Sequence, residues 1–550
     1  MTKYLYIFLF FAVFSCKKTN SKITTEETPE TETESIDTSV VVTNDFREFK
    51  VLDSKYINTD KFWNPFNKDL EDFTEEVYNT LKPFILEQDI STLQSFIANG
   101  ELSYERLTKF YLYSIRKFDR ENSRSLNSVI ALNPNVIQEA REAYNTDFEV
   151  APHPIFVIPI LLKDNINTAN MPTTAGTIVL ANNRTTDAFI VNKLKQQGAL
   201  ILGKANLSEW AYFFCGDCPS GYSAIGGQTL NPYGRRVLDT GGSSSGSGVA
   251  VATNFCVAAI GSETSGSILS PASQNSTVGL KPTIGLLSRT GIVPISSTLD
   301  TPGPITKNVM DNAIVLDAMF GYDENDFKSI DALLQNGFYF KDLPNSSLKN
   351  KRFGAFKRLM EDSLYVNAIS VLKSQGAEVI EIDEEDIDLP DFLRLINLDM
   401  KKDRLGYLKN YSGESIQVSS VSDVIEFNKK DSLYTMPYGQ ELLEGIVADL
   451  GTNEDLESIK HILHTNGKAY FDKPMKANQL NGILSINNYH AGFAAVAEYP
   501  AVTVPMGYGD NGAPKGLTFI ATRLQEKVLL EWAYIYEQAS KMRIMPEDYK

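Results

Sequence analysis

The chain has 550 residues, of which 43% are hydrophobic and 22% charged, with a formal net charge of −17. That is the make-up of a globular protein with ample material for a core. The acidic balance argues against nucleic acid as a partner, because phosphate backbones are held mainly by basic surface, and it is accounted for by a solvated exterior.

Lys3 precedes an eleven-residue apolar run, Tyr4 to Phe14. Such a run is too short to span a bilayer as a mature helix and fits the apolar core of a signal peptide. It ends in Val13-Phe14-Ser15-Cys16, which resembles a bacterial lipobox with Cys16 as the lipid-modified residue. The alternative is an ordinary secretory signal in which Cys16 is incidental. Glu26, Glu27, Glu30, Glu32, Glu34 and Asp37 crowd the Thr-rich stretch that follows. With almost no large apolar residue, that stretch cannot offset the entropy of ordering. The expected layout is a signal peptide over 1–15, a lipidated Cys16 with a flexible acidic tether over 16–47, and one folded domain over 48–550. A lipid anchor holds a protein in the cell envelope without a spanning helix.

Within the body, Leu70 to Leu86 and Ser103 to Phe118 place apolar residues at helical spacing, with Ser103 as a good N-cap. Phe156 to Leu162 is a continuous apolar run, as expected of a strand buried on both faces. Asp187 to Gln197 reads as a helix with Gly198 past its end, and Leu200 to Leu202 as the next strand. Ser247 to Thr253 reads as helix, Phe255 to Ile260 as a buried strand, and 520–540 as a closing helix. This alternation predicts an α/β fold in which helices cover both faces of one large twisted sheet.

Three segments carry chemistry. Lys163 ends the run Phe156-Val157-Ile158-Pro159-Ile160-Leu161-Leu162. Gly241-Gly242-Ser243-Ser244-Ser245-Gly246-Ser247-Gly248 and Gly261-Ser262-Glu263-Thr264-Ser265-Gly266-Ser267-Ile268 are serine-bearing glycine loops. Glycine lets backbone turn tightly and approach a ligand. A serine on such a turn becomes a nucleophile when a base is near, and a lysine desolvated at a strand end can be that base.

In order and content these segments resemble the amidase signature family, whose catalytic group is Ser–cis-Ser–Lys. Pro172-Thr173-Thr174-Ala175-Gly176, Gly198 to Asn206, Asn231-Pro232-Tyr233-Gly234, Gly279-Leu280-Lys281-Pro282-Thr283, Leu299-Asp300-Thr301-Pro302-Gly303-Pro304 and Tyr499 to Pro505 fall in family order. The likeness runs from about residue 85 to 540 and is weakest between about 340 and 475. The triple serine and Ser288-Arg289-Thr290-Gly291-Ile292 look most like the bacterial peptide amidase branch. The resemblance implies a single large domain with a mixed sheet, and a hydrolase of linear carboxamides that needs no cofactor or metal. It casts Ser267 as nucleophile, Ser243 as bridging serine and Lys163 as base, with the backbone of Thr264, Ser265 and Gly266 as oxyanion hole. Most bacterial relatives of that branch carry Asp where this chain has Ser265, a change that keeps the backbone donor but alters the hydrogen bonds the side chain can make. Glu263 either supports the loop through hydrogen bonds or does not bear on it. The expected partner is a small-molecule or peptide amide. Two alternatives stand beside this reading: an amidotransferase-type amidase subunit, and a non-catalytic envelope-binding lipoprotein of the same fold.

Other patterns are weaker. Gly242-Ser243-Ser244-Ser245-Gly246 matches the nucleophile elbow, but Arg235 to Thr240 reads poorly as the strand that motif needs. Gly198 to Lys204 imitates a phosphate loop, but Ala205 stands where a magnesium-binding hydroxyl belongs. His461 and His464 share a helical face without a third ligand at zinc spacing. Cys215 and Cys218 are either a disulfide, which an exported chain can keep, or two thiols near the core. Cys256, within an apolar run, is expected to be buried and inert. The substrate pocket is expected to draw its walls from 340–475 and from Leu480 to Ala497.

Overall fold

The computed structural model describes residues 48–120, 123–143, 152–331 and 337–550; the signal peptide, Cys16 and tether expected at 1–47 lie outside the described residues. Thirteen strands occur among the described residues. In chain order they are β1 (Val129–Leu132), β2 (Pro159–Lys163), β3 (Leu200–Ala205), β4 (Tyr222–Ser223), β5 (Gly227–Gln228), β6 (Ala258–Glu263) and β7 (Val278–Lys281). They continue with β8 (Thr301–Thr306), β9 (Arg352–Phe356), β10 (Glu378–Ile382), β11 (Gly482–Ile486), β12 (Ala501–Tyr508) and β13 (Pro514–Ile520). Eleven of them form one sheet in the order β1-β3-β2-β6-β8-β7-β12-β13-β11-β9-β10, and β4 and β5 pair as a separate hairpin. The sheet is mixed. β3, β2 and β6 are mutually parallel, as are β11, β9 and β10, while β6-β8-β7-β12-β13-β11 run antiparallel.

This is the expected single α/β domain with helices on both faces of the sheet. The helices Ser245–Ala252 and Leu269–Gln274 pack on each other and on β6 and β7, while Val309–Met319 and Glu526–Ser540 pack together as another pair. Every residue of β2, β3, β6, β7 and β8 is buried, which is why the parts of β2, β3 and β6 expected as strands read as apolar runs rather than alternating patterns. Among the described residues no helix is long and apolar enough to cross a membrane.

Several element boundaries differ from expectation, each for a local reason. The first of the expected helices starts at Glu75 rather than Leu70, where Thr74 Oγ1 caps the Val77 N–H at 3.4 Å. Ser103 Oγ does cap the helix Tyr104–Phe118, accepting from Arg106 N–H at 3.2 Å. β2 begins three residues late, because Val157 takes a left-handed conformation (φ 52°) and its N–H turns away to the Gly198 carbonyl at 2.8 Å. β3 continues past Leu202 because Gly203 lets the Ala131 carbonyl lie where a Cβ would be 2.3 Å away. β6 starts at Ala258, since Asn254 (φ 56°) and the Phe255 N–H bonded back to Ala250 extend the preceding turn. The last helix starts at Glu526, because β13 and a turn through Leu524 (φ 66°) occupy the residues before it.

Candidate active site

β2 and β6 are adjacent and parallel, so their C-terminal ends emerge side by side. β2 ends on Lys163 and β6 on Ser262 and Glu263, and the loop before helix Ser245–Ala252 brings Ser243 to the same place. Lys163 is completely buried. Its Nζ lies 2.7 Å from Ser243 Oγ, 3.0 Å from the Ser262 carbonyl and 3.0 Å from Ser262 Oγ. Asn165 donates to Ser262 Oγ at 2.9 Å and so fixes that hydroxyl from the other side. The Gly242–Ser243 peptide bond is cis. Ser243 is buried, whereas Ser267 keeps 8% of its surface exposed. The Ser244 N–H donates to the Ser267 carbonyl at 3.2 Å, which ties the two serine loops together. Among the described residues no hydrogen bond joins the Ser243 and Ser267 hydroxyls; apo sites commonly tighten such contacts only around substrate.

Burial brings the Lys163 ammonium down from the usual lysine range to about 7, with Asp300 and Glu263 pulling the other way. Asp300 is itself held by local donors. It accepts from Thr264 Oγ1 at 2.6 Å and from the Ile295 and Ser296 N–H groups at 2.8 and 2.9 Å, while burial raises its carboxyl above the usual range.

Glu263 settles the question left open on its role. Buried to 1% exposure, its carboxylate accepts the N–H of Gly266 at 2.8 Å, of Ile268 at 2.7 Å and of Leu269 at 3.0 Å. One side chain therefore shapes the whole turn that carries Ser267. It also takes up the Gly266 N–H, one of the three donors assigned to the oxyanion hole, leaving the Thr264 and Ser265 N–H groups without an acceptor among the described residues. Gly266 (φ 85°) sits so close to Asn488 that a Cβ would lie 2.8 Å from its amide nitrogen.

A cavity of about 380 Å³ opens against Ser262, Asn165 and Thr264. Its walls are mainly the 289–302 loop, residues 325–327, and the face of helix Phe392–Asn410 that carries Asp403 and Tyr407. The expected contribution of 340–475 is thus met by one helix. The stretch Leu480 to Ala497 does not line the cavity and instead backs the Ser267 turn through Asn488 and Gly492.

The competing patterns resolve against their motifs. Residues 235–240 form turns rather than a strand, and Ser244 Oγ donates to the Ser262 carbonyl at 3.2 Å. Lys204 is buried in β3 beside Asp164 at 3.3 Å, in no position to meet a phosphate. His464 Nδ1 bonds the Val496 carbonyl at 2.9 Å, and no group of metal-ligating side chains occurs among the described residues. Cys215 and Cys218 are joined as a disulfide, and Cys256 is a buried free thiol whose pKa burial pushes up to about 12. Ser262, Asn165 and Asp300 were not singled out from the sequence; the first two flank Lys163 and Glu263, and the third lies inside a quoted family segment.

The family model described as Amidase matches residues 109–449. The fold is similar to that of an amidase family protein from Bacillus anthracis, with a TM-score of 0.85 and 36% identity over 90% of this chain and 100% of that one. It is similar to the native peptide amidase from Stenotrophomonas maltophilia, with a TM-score of 0.79 and 37% identity over 84% of this chain and 99% of that one. The sequence is also 28% identical to one component of the glutamyl-tRNA(Gln) amidotransferase of Orientia tsutsugamushi, over 84% of this chain and 98% of that protein.

Proposed function

The chain belongs to the amidase signature family and is an amide-hydrolysing enzyme, and from that premise we propose that it cleaves a linear carboxamide, the C-terminal amide of a peptide being the preferred class, through a serine–serine–lysine relay. An amide is a poor electrophile with a poor leaving group, so its hydrolysis gains from an acyl-enzyme, a proton shuttle and an oxyanion site. In this reading neutral Lys163 takes a proton from Ser243, which takes one from Ser267 as its Oγ attacks the carbonyl carbon. The C–N bond then breaks as the relay returns the proton to the leaving amine. Water enters by the same relay and releases the acid. The oxyanion rests on the Thr264 and Ser265 N–H groups, with Gly266 kept in place by Glu263.

One observation carries this reading: a fully buried lysine, its pKa brought to about 7, at 2.7 Å from a serine hydroxyl on a loop whose Ser244 N–H bonds the carbonyl of Ser267. A serine-reactive fluorophosphonate probe tests it. The expected label falls on Ser267, and a screen of peptide amides against fatty and aromatic amides then ranks substrates. A complete Lys163–Ser243–Ser267 set weighs against a binding protein that lost activity. The second reading, an amidotransferase-type component, draws on the similarity to the Orientia tsutsugamushi protein. Turnover of free carboxamides by the chain alone, with no other polypeptide added, separates the two.

For location, we propose export and a lipid anchor on Cys16 in the bacterial cell envelope, from the signal-like Tyr4 to Phe14 run and the lipobox-like Val13-Phe14-Ser15-Cys16.

A further inference from the structure

Asp403 lies in the wall of the cavity that opens against Ser262, Asn165 and Thr264, on helix Phe392–Asn410. Its Oδ2 accepts the Ser297 N–H at 2.5 Å, and the Ser297 side chain also favours the charged form. No cation pairs with the carboxylate among the described residues. Arg289 attracts it without forming an ion pair. Arg289 is engaged with Asp326, which it meets through Nε at 2.8 Å and through Nη2, and with the Ser297 carbonyl. Lys460 serves Glu457 at 3.1 Å and Asp399 at 3.6 Å, and Lys328 serves Glu498 at 2.6 Å. Lys402 reaches the same cavity from the neighbouring helical position and makes no ion pair among the described residues. Asp399 and Asp300 stand close enough to act on Asp403 as like charges. The remaining walls are largely apolar, including Ile292, Val293, Ile295 and Tyr407. A carboxylate without an ion pair at the edge of an apolar cavity loses hydration and gains in return only the attraction of Arg289, which is committed to Asp326.

We infer that Asp403 is a specificity-determining residue that receives an alkylammonium group on the amide substrate. The inference rests on the amidase reading for the identity of the substrate. A cavity of about 380 Å³ takes a compact molecule, near the lower end of the ~300–1,000 Å³ typical of ligand sites. The ammonium can be the free N-terminus of a short peptide amide or a basic side chain, since both present the same donor set to the Asp403 carboxylate. Burial, together with like charge from Asp399 and Asp300, pushes the Asp403 carboxyl up to about 6. A bound cation relieves that repulsion, so its contribution is present at neutral pH and fades as the pH falls through that value. The groups that set this response are Asp300, Asp399 and Asp326 on one side and Arg289, Lys402 and Lys460 on the other.

Three probes test it: glycyl-phenylalaninamide, its N-acetyl form, and N-acetyl-lysinamide. The wild-type enzyme is expected to show kcat/KM for at least one ammonium-bearing probe roughly 10-fold or more above the N-acetyl dipeptide, carried by KM, as one charged hydrogen bond provides. Which of the two cationic probes gains tells N-terminus from side chain. In Asp403→Asn that ratio is expected to fall to about 1, and in the wild type it is expected to shrink between pH 7 and pH 5. Calorimetric binding of the same probes to Ser267→Ala protein reads the preference without turnover. A ratio near 1 in the wild type, or one unchanged by Asp403→Asn, overturns the inference while hydrolysis itself leaves the amidase reading standing. Ammonium-selective binding without hydrolysis of any amide would support the Asp403 assignment and sink the amidase reading instead.

Discussion

Lys163 Nζ lies 2.7 Å from Ser243 Oγ at the end of β2, in a pocket that gives the lysine no exposed surface and no carboxylate in direct contact. An exposed lysine titrates near pH ~10.4, which would leave fewer than about one in a thousand neutral at pH 7. Burial moves this one to about 7. The sign follows directly. Below that value Lys163 is protonated and cannot accept from Ser243, so kcat/KM should fall on the acid side with a limb near pH 7. The limb should persist in single replacements of His153, His461, His464 and His490, since the proposed relay uses no histidine. Disappearance of activity in one of those folded variants would falsify the relay.

A relay of the kind proposed acts as a unit, so its parts should not add. Ser267→Ala, Ser243→Ala and Lys163→Ala are each expected to lower kcat by roughly 10³-fold or more, and double variants to be little worse than the weakest single. Ser244→Ala should retain most activity, because Ser244 Oγ bonds only the Ser262 backbone. An inactive Ser244→Ala beside an active Ser243→Ala would restore the nucleophile-elbow reading. Single-turnover kinetics on the wild type and each of these variants decide it.

The nearness of Lys163 to Ser243 was legible mainly through the resemblance to the amidase signature family, since a lysine at a strand end or a serine in a glycine loop is by itself a common feature; glycine where backbone must crowd and serine on the turns are what made the segments recognisable. The α/β alternation was legible because β2, β3 and β6 lie in apolar runs buried on both faces, whereas the mixed strand directions were implied only by the family resemblance. What the sequence hid was relational. Nothing in it says that Glu263 spans three N–H groups, or that Gly266 thereby leaves the set of free donors. Strand starts were missed where one residue turned left-handed, as at Val157, because propensity does not register a single φ. Asp403 lies in the weakly matching 340–475 stretch, and only the packing of helix Phe392–Asn410 against the 289–302 loop brings it to the cavity.

Glu263 should matter to rate more than to binding. Glu263→Gln keeps one acceptor for Ile268 and Leu269 but sets an amide NH₂ against the Gly266 N–H. The turn should lose its shape around the Thr264 and Ser265 donors, which the proposed mechanism assigns to the oxyanion. We expect kcat to drop by roughly 10- to 100-fold with little change in KM, the pattern of a lost transition-state interaction. A rise in KM with kcat intact would show that the turn serves substrate binding instead.

Lipidation is tested independently of catalysis. Cys16→Ala is expected to abolish incorporation of radiolabelled fatty acid and to release the protein from the membrane fraction. Equal labelling in wild type and variant would place the anchor elsewhere, and absence of label in the wild type would favour an ordinary secretory signal.

The buried lysine should also cost stability, in a pH-dependent way. Between about 7 and ~10.4 the unfolded chain binds a proton at Lys163 that the folded chain does not. Stability from this group therefore rises with pH across that window, and the full penalty of burying the ammonium is felt below pH 7. Lys163→Met removes the group while filling similar volume. Ser262 keeps partners, since Asn165 donates to its Oγ and Ser244 Oγ donates to its carbonyl, while Ser243 Oγ loses the bond to Lys163 and offsets part of the gain equally at both pH values. The variant should be inactive yet melt at a higher temperature than the wild type, the exchange of stability for function common at catalytic groups. The gain should be large at pH 6 and much smaller at pH 9. Thermal melts of both proteins at the two pH values measure it. A gain that stays constant with pH would mean that packing, not the ammonium, sets the difference, and that Lys163 titrates near its ordinary value.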